Sequence, residues 1–173
     1  MKWHTHTLLG INSLWLLIPF LSHSDMANIG LLAAGAAFGA LIPDLDAAES
    51  KIKHLRLSGV KPFQLPSTIL HQTLGHRGLL HSLVGLSLVA TATIPLSFTI
   101  GWQMSLALTL GYASHLAADA STRSGIPVVY PCRNRYHLLP RSCRFVTGSQ
   151  AEEVLFVLAA AGVALLLLRP LAI

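Results

Sequence analysis

Long apolar runs alternate with short polar clusters along this chain, and the length of the runs predicts membrane helices. A helix that crosses the hydrocarbon layer needs roughly 20 mostly apolar residues. Runs of about that length cover residues 5–22, 26–42, 78–99, 101–120 and 152–172. The first two are slightly short, and the polar stretch 22–25 reads as a tight turn between them. The second is rich in small residues, among them Gly30, Ala33, Gly35, Ala36, Gly39 and Ala40, a composition that lets membrane helices approach closely. It should end at Pro43, because the residue before a proline disfavours helix. Gly101 allows a short turn between the third and fourth runs. The fifth, Val154 to Leu168, is almost purely aliphatic and reads as a plain anchor without polar chemistry. The pattern therefore predicts an all-α integral membrane bundle of about five transmembrane helices, forming one domain over residues 1–173.

Composition agrees with that class. The chain is 53% hydrophobic and only 11% charged, where a soluble domain carries about 25% charged residues. With five spans, one face holds the N-terminus, residues 43–77 and residues 121–151. Of the 12 lysines and arginines, all but Arg169 fall on that face. Positive loops stay inside, so this face should be cytoplasmic, with the N-terminus in and the C-terminus out. The net charge of +5 is then topogenic, or in part a grip on anionic headgroups or a phosphorylated substrate. Nucleic acid is not an expected partner, since there is no basic helix or aromatic-interleaved patch of the usual kinds. Cys132 and Cys143 lie in a basic loop without C-x-x-C spacing and read as free thiols. The first run lacks a basic leader and a convincing cleavage site, so it reads as a retained span. Residues 62–75 suggest an interfacial segment.

Four polar motifs lie at the ends of the apolar runs, and threading brings all four to the cytoplasmic face. His6 opens the first run, with His4 as a nearby alternative; alone, either is an ordinary interfacial histidine. Asp44 and Asp46 follow the second run. Carboxylates are disfavoured at a helix C-terminus, where the dipole is negative, and a divalent metal would compensate them. His76, Arg77 and His81 open the third run, where such groups are expensive unless they face a polar cavity or one another. His115 and Asp119, spaced i, i+4, share one helix face; they could ligate one metal or simply bond within the bundle. Imidazole and carboxylate donors without thiolate suit zinc, manganese or iron. Seven candidates exceed one tetrahedral shell, which makes two or more ions plausible.

The motifs Thr5-His6-x3-Gly10, Pro43-Asp44-Leu45-Asp46, Gly75-His76-Arg77-Gly78-x2-His81-Ser82 and Ser114-His115-x3-Asp119-x2-Thr122 resemble a bacterial family of membrane-bound, metal-dependent hydrolases. One branch comprises LexA-regulated inner-membrane proteins, and the resemblance covers roughly residues 3–135. The family is grouped distantly with zinc-dependent phospholipase C and P1-type nucleases, which cleave phosphoesters. The resemblance implies a divalent-metal centre, zinc first, held by His6, Asp44, Asp46, His76, His81, His115 and Asp119. It implies hydrolysis of a lipid or lipid-linked phosphoester by metal-activated water. Asp44 or Asp46 would take the proton, Arg77 would stabilise the phosphoryl oxygens, and Ser82 and Thr122 would support the ligands. In one respect the chain departs from those soluble enzymes: they ligate metal with the mature N-terminal amino group, whereas Met1 lies five residues before His6. Two rival readings follow from the motifs alone. One is a non-enzymatic membrane protein with a structural or regulatory metal; the other is a divalent-metal transporter, although transport sites tend to lie at the bilayer midplane.

Overall fold

The computed structural model describes residues 1–22, 26–46, 78–132 and 134–169. The interfacial segment 62–75, His76 and Arg77 lie outside the described residues, as do residues 23–25 of the expected turn. The structure is mostly helical. Among the described residues the five longer α-helices are α1 (Trp3–Asn12), α2 (Ile29–Leu41), α3 (Leu83–Ile100), α4 (Trp102–Ala120) and α5 (Gln150–Leu168). A small antiparallel ribbon, β1 (Ile126–Pro127) with β2 (Arg135–Tyr136), departs from a purely α architecture.

Among the described residues two helices, α3 and α5, are long and apolar enough to cross a membrane. Both are largely unburied, and they show large apolar side chains outward, such as Ile94 and Phe98 on α3 and Val157 and Leu165 on α5. The first two runs form shorter helices than their length suggests. The α-helix of the first stops at Asn12, and the chain continues as 3-10 turns through Phe20, with Pro19 inside the second turn. Asn12 and Ser13 bond back to the Leu8 and Gly10 carbonyls at that point. At 1.5 Å per residue, α1 and α2 span about 15 and 20 Å, short of the roughly 30 Å hydrocarbon core. The turn at Gly101 forms as the sequence suggests, with φ +84 between α3 and α4.

The core is built around α4, which packs on α1, α2 and α3, while α1 also packs on α2 and α5. The small residues of α2 account for its close fit. A Cβ placed on Gly39 would stand 2.1 Å from the Leu108 carbonyl oxygen of α4, and one on Gly35 would stand 2.3 Å from Met104 Sδ. Gly10 of α1 faces Ala40 in the same way, at 2.6 Å. Glycine at these points removes the atoms that would hold the backbones apart. An apolar cluster of Leu14, Leu17, Ile29, Leu32, Ala36, Ala107 and Leu166 fills the space away from the polar helix ends.

Helix α5 does more than anchor the chain. Its Glu152 is buried and accepts the backbone N–H groups of Lys2 and Gly148, each at 2.6 Å. One face further along, the Asn12 amide donates to the Ala159 carbonyl at 2.8 Å. Burying a carboxylate is costly unless its oxygens are bonded, and here two amide groups meet that need.

Candidate metal centre

Helix ends position the cluster. His6 lies in the first turn of α1, Asp44 in the 3-10 turn Pro43–Asp46 that ends α2, and His81 in the 3-10 turn Leu79–His81 that precedes α3. His115 and Asp119 lie in the last turns of α4. Two groups of donors converge, His6 with His115 and Asp119, and Asp44 with His81 and His115. The structure thus assembles five of the seven expected ligands. His76 lies outside the described residues, and so does the side chain of Asp46.

Four donor atoms form a compact set. His81 Nε2 stands 3.4 Å from His115 Nε2, 3.6 Å from Asp44 Oδ1 and 3.8 Å from Asp119 Oδ2. His115 Nε2 lies 3.8 Å from Asp44 Oδ1 and 3.9 Å from Asp119 Oδ2. A tetrahedral ion with bonds near 2.1 Å separates its ligands by about 3.4 Å. Asp44, His81 and His115 would fit three corners of such an ion with small adjustments, and Asp119 Oδ2 lies beside the same two imidazoles.

Protonation supports the same reading. His115 Nδ1–H donates to the Ala40 carbonyl at 2.7 Å, which leaves Nε2 as a bare lone pair directed into the cluster, an arrangement usual for metal-binding histidine. His6 stacks on the His115 ring with centroids 3.8 Å apart, and its Nε2 lies 3.3 Å from Asp119 Oδ1. His6 Nδ1 is buried and finds no hydrogen-bond partner among the described residues. Three buried imidazoles packed against two carboxylates make a dense donor set of the kind that coordinates a cation. Burial works to raise the Asp44 carboxyl, but His81, His115 and His6 outweigh it and bring it from 3.8 down to about 2. Asp44 is therefore ionised at neutral pH, and its side chain is the partly open donor, 27% exposed.

Asp119 is two-sided. Its Oδ2 faces His81 and His115, while Oδ1 faces His6 and also accepts the Met1 amino group at 2.9 Å. Met1 therefore reaches the cluster, although its spacing from His6 in sequence suggested otherwise. His4, the alternative to His6, points elsewhere, lying edge-on between the Trp3 and Phe156 rings.

The supporting residues divide in two. Thr122 is buried and donates to the Asp119 carbonyl at 2.7 Å, and so braces the end of α4. Ser82 caps α3 instead, accepting Gly85 N–H at 3.3 Å and donating to the Leu79 carbonyl at 2.6 Å. Sequence reasoning missed Tyr112, whose buried hydroxyl donates to the Leu80 carbonyl and holds the His81 turn. It also missed Glu152, although Ser149-x-x-Glu152 has capping-box spacing, and Ser149 does accept Glu152 N–H.

Fold and site define a mostly helical protein with two apolar helices of membrane-crossing length and a buried His/Asp cluster that could hold a metal ion. The YdjM inner membrane protein family matches residues 1–171, and the chain belongs to that family. It is 32% identical over 126 residues to the inner membrane protein YdjM of Escherichia coli K12, covering 70% of this chain. That match spans 59% of the relative's own length. The uncharacterized protein YvsG of Bacillus subtilis 168 is 34% identical over 124 residues, covering 72% of this chain and 70% of the relative. No solved structure matches the chain.

Proposed function

We propose that this protein is a metal-dependent hydrolase of the inner membrane that cleaves phosphoester bonds of a lipid or lipid-linked substrate at the cytoplasmic face. The observation that carries the reading is the convergence of Asp44, His81, His115 and Asp119, with the two imidazoles 3.4 Å apart, each 3.6–3.9 Å from both carboxylates, and one imidazole tautomer fixed by Ala40. Zinc suits these donors best, and manganese or iron are also compatible with imidazole and carboxylate. A bound divalent ion would supply an acidified water and a positive charge beside the phosphoryl oxygens. The two-sided Asp119, with His6 on its second oxygen, favours more than one ion.

The chain's own residues divide the remaining work. Asp44 is the partly open donor, so its carboxylate is placed to contact the attacking water and take its proton. Ala40 and Thr122 hold the imidazole of His115 and the end of α4 in position. In this reading Arg77 and Asp46 supply the phosphoryl contact and a further carboxylate. Placement at helix ends suits a lipid phosphate at headgroup level better than an ion path through the midplane. In the membrane, α3 crosses outward, α4 returns across Gly101 and α5 leaves again. The short α1 and α2 enter from the cytoplasmic face and return to it. That route keeps the basic residues other than Arg169 inside, with the C-terminus out.

The test is metal analysis of the purified full chain, followed by assay against phospholipids, prenyl phosphates and simple phosphodiesters. Turnover that is abolished by chelation and by Asp44→Ala, with the helical fold intact, is the expected result. Absence of cleavage in metal-loaded protein would remove the reading. Unfolding on chelation without any turnover would favour a structural metal instead.

A further inference from the structure

A second feature opens beside the metal centre. Between α1, α4 and α5 lies a cleft of about 460 Å³, walled by Leu9, Leu16, Ala117, Ala118 and Leu155. Its serine hydroxyls and the Asn12 amide N–H group are turned onto backbone. Asn12 donates to the Leu8 and Ala159 carbonyls, Ser13 to Gly10, Ser114 to Gly111 and Ser121 to Ala117, at 2.6–2.8 Å. The wall therefore offers hydrocarbon and spends its donors on itself. A sugar or peptide would lose hydrogen bonds on entering, whereas an alkyl chain would lose none.

The two ends of the cleft differ. At one end stands Trp15, with the Arg169 guanidinium 5.9 Å from its ring centroid. At the other end stands Met1, whose amino group bonds Asp119, so the cleft reaches the edge of the metal cluster. Phe145 also lines that end, and its carbonyl accepts the backbone N–H of exposed Arg123 at 3.0 Å. Arg123 belongs to a stretch, residues 121–149, that holds five arginines and no acid. The distance from one end to the other, along α1 and its following turn, is about 20 Å, the length of a long fatty-acyl chain.

We propose that the cleft holds one acyl chain of an anionic glycerophospholipid, with its phosphate at the Arg123 end beside the metal cluster. The role of that lipid as substrate rests on the hydrolase reading; its binding does not. Apolar lining selects the chain, the acid-free arginine stretch selects the negative headgroup, and continuity through Met1 and Asp119 joins both to the site.

The experiment uses the full chain in phosphatidylcholine nanodiscs doped with phosphatidylglycerol that carries a photoreactive group in its acyl chain. After irradiation, labelled peptides are mapped by mass spectrometry. Labels should concentrate on residues 9–16 and on Leu155. Ser114→Leu, which fills the cleft, should lower that labelling about tenfold, while Ser114→Ala should leave it unchanged. Arg123→Gln should weaken labelling by the phosphatidylglycerol probe about fivefold, but not by a phosphatidylcholine probe. Labels spread over the outward faces of α3 and α5, or labelling indifferent to Ser114→Leu, would overturn the proposal. Labelling needs no turnover, so a labelled but inactive protein would count against the hydrolase reading alone. An active protein with an unlabelled cleft would count against this proposal alone.

Discussion

Gly111 of α4 and Ala36 of α2 meet with no space for another atom, since a Cβ on Gly111 would stand 2.0 Å from the Ala36 carbonyl oxygen. One turn further along both helices, His115 donates to the Ala40 carbonyl. The close approach of the backbones thus sets the hydrogen bond that orients a metal-facing imidazole. Gly111→Ala should push the helices apart and carry His115 off Ala40. Overpacking of this kind costs about 1–3 kcal/mol, so the variant should melt earlier in detergent and bind less metal. Gly30→Ala, which meets nothing within 4 Å, should match the parent protein. Equal melting of the two variants would show that α2 and α4 are not packed this tightly.

The two faces of Asp119 predict an unequal response to ligand removal. Asp119→Ala takes an oxygen from both halves of the cluster and should abolish metal binding. His6→Ala should remove only the ion on the Oδ1 side, leaving the Asp44, His81 and His115 side occupied. His4→Ala should bind metal normally. Elemental analysis of the purified variants reads all three, and loss of every ion in His6→Ala would contradict a two-sided carboxylate.

Glu152→Ala should loosen the N-terminal segment. The partly buried Lys2 amide would be left without its acceptor, at a cost of about 1 kcal/mol, while water can take the place of Glu152 at the exposed Gly148 amide. Amide exchange at residues 2–6 should speed up, and metal affinity should fall because His6 is no longer held. Exchange rates equal to those of the parent chain would mean that α5 does not restrain α1.

Cys132 and Cys143 are both exposed and unpaired with each other, so they report on orientation. A membrane-impermeant thiol reagent should label them in inverted inner-membrane vesicles and spare them in intact spheroplasts. Labelling from outside would reverse the proposed topology.

The parts of this protein that were legible in sequence are those fixed by local chemistry. His115 and Asp119 declared themselves by helical spacing, and Gly35 and Gly39 by the density of small residues around them. His81 stood out because imidazole is rare inside an apolar run. The shape of the first run was not legible, because apolar content does not distinguish a continuous helix from one that gives way at Asn12 to 3-10 turns. Tyr112 and Glu152 were hidden for another reason. Each acts through a backbone group far away in sequence, Leu80 for one and Lys2 for the other, and no local pattern encodes such a partner. Ala40 contributes only a carbonyl, which every residue has.

The bond between Glu152 and the Lys2 amide has a bearing on biosynthesis. His6 leaves the ribosome long before Glu152, the group that steadies its segment. His6 must wait, loosely held, until α5 has been inserted. The complete cluster therefore forms only once α5 is in place, and a nascent chain stalled before α5 would hold these donors loosely.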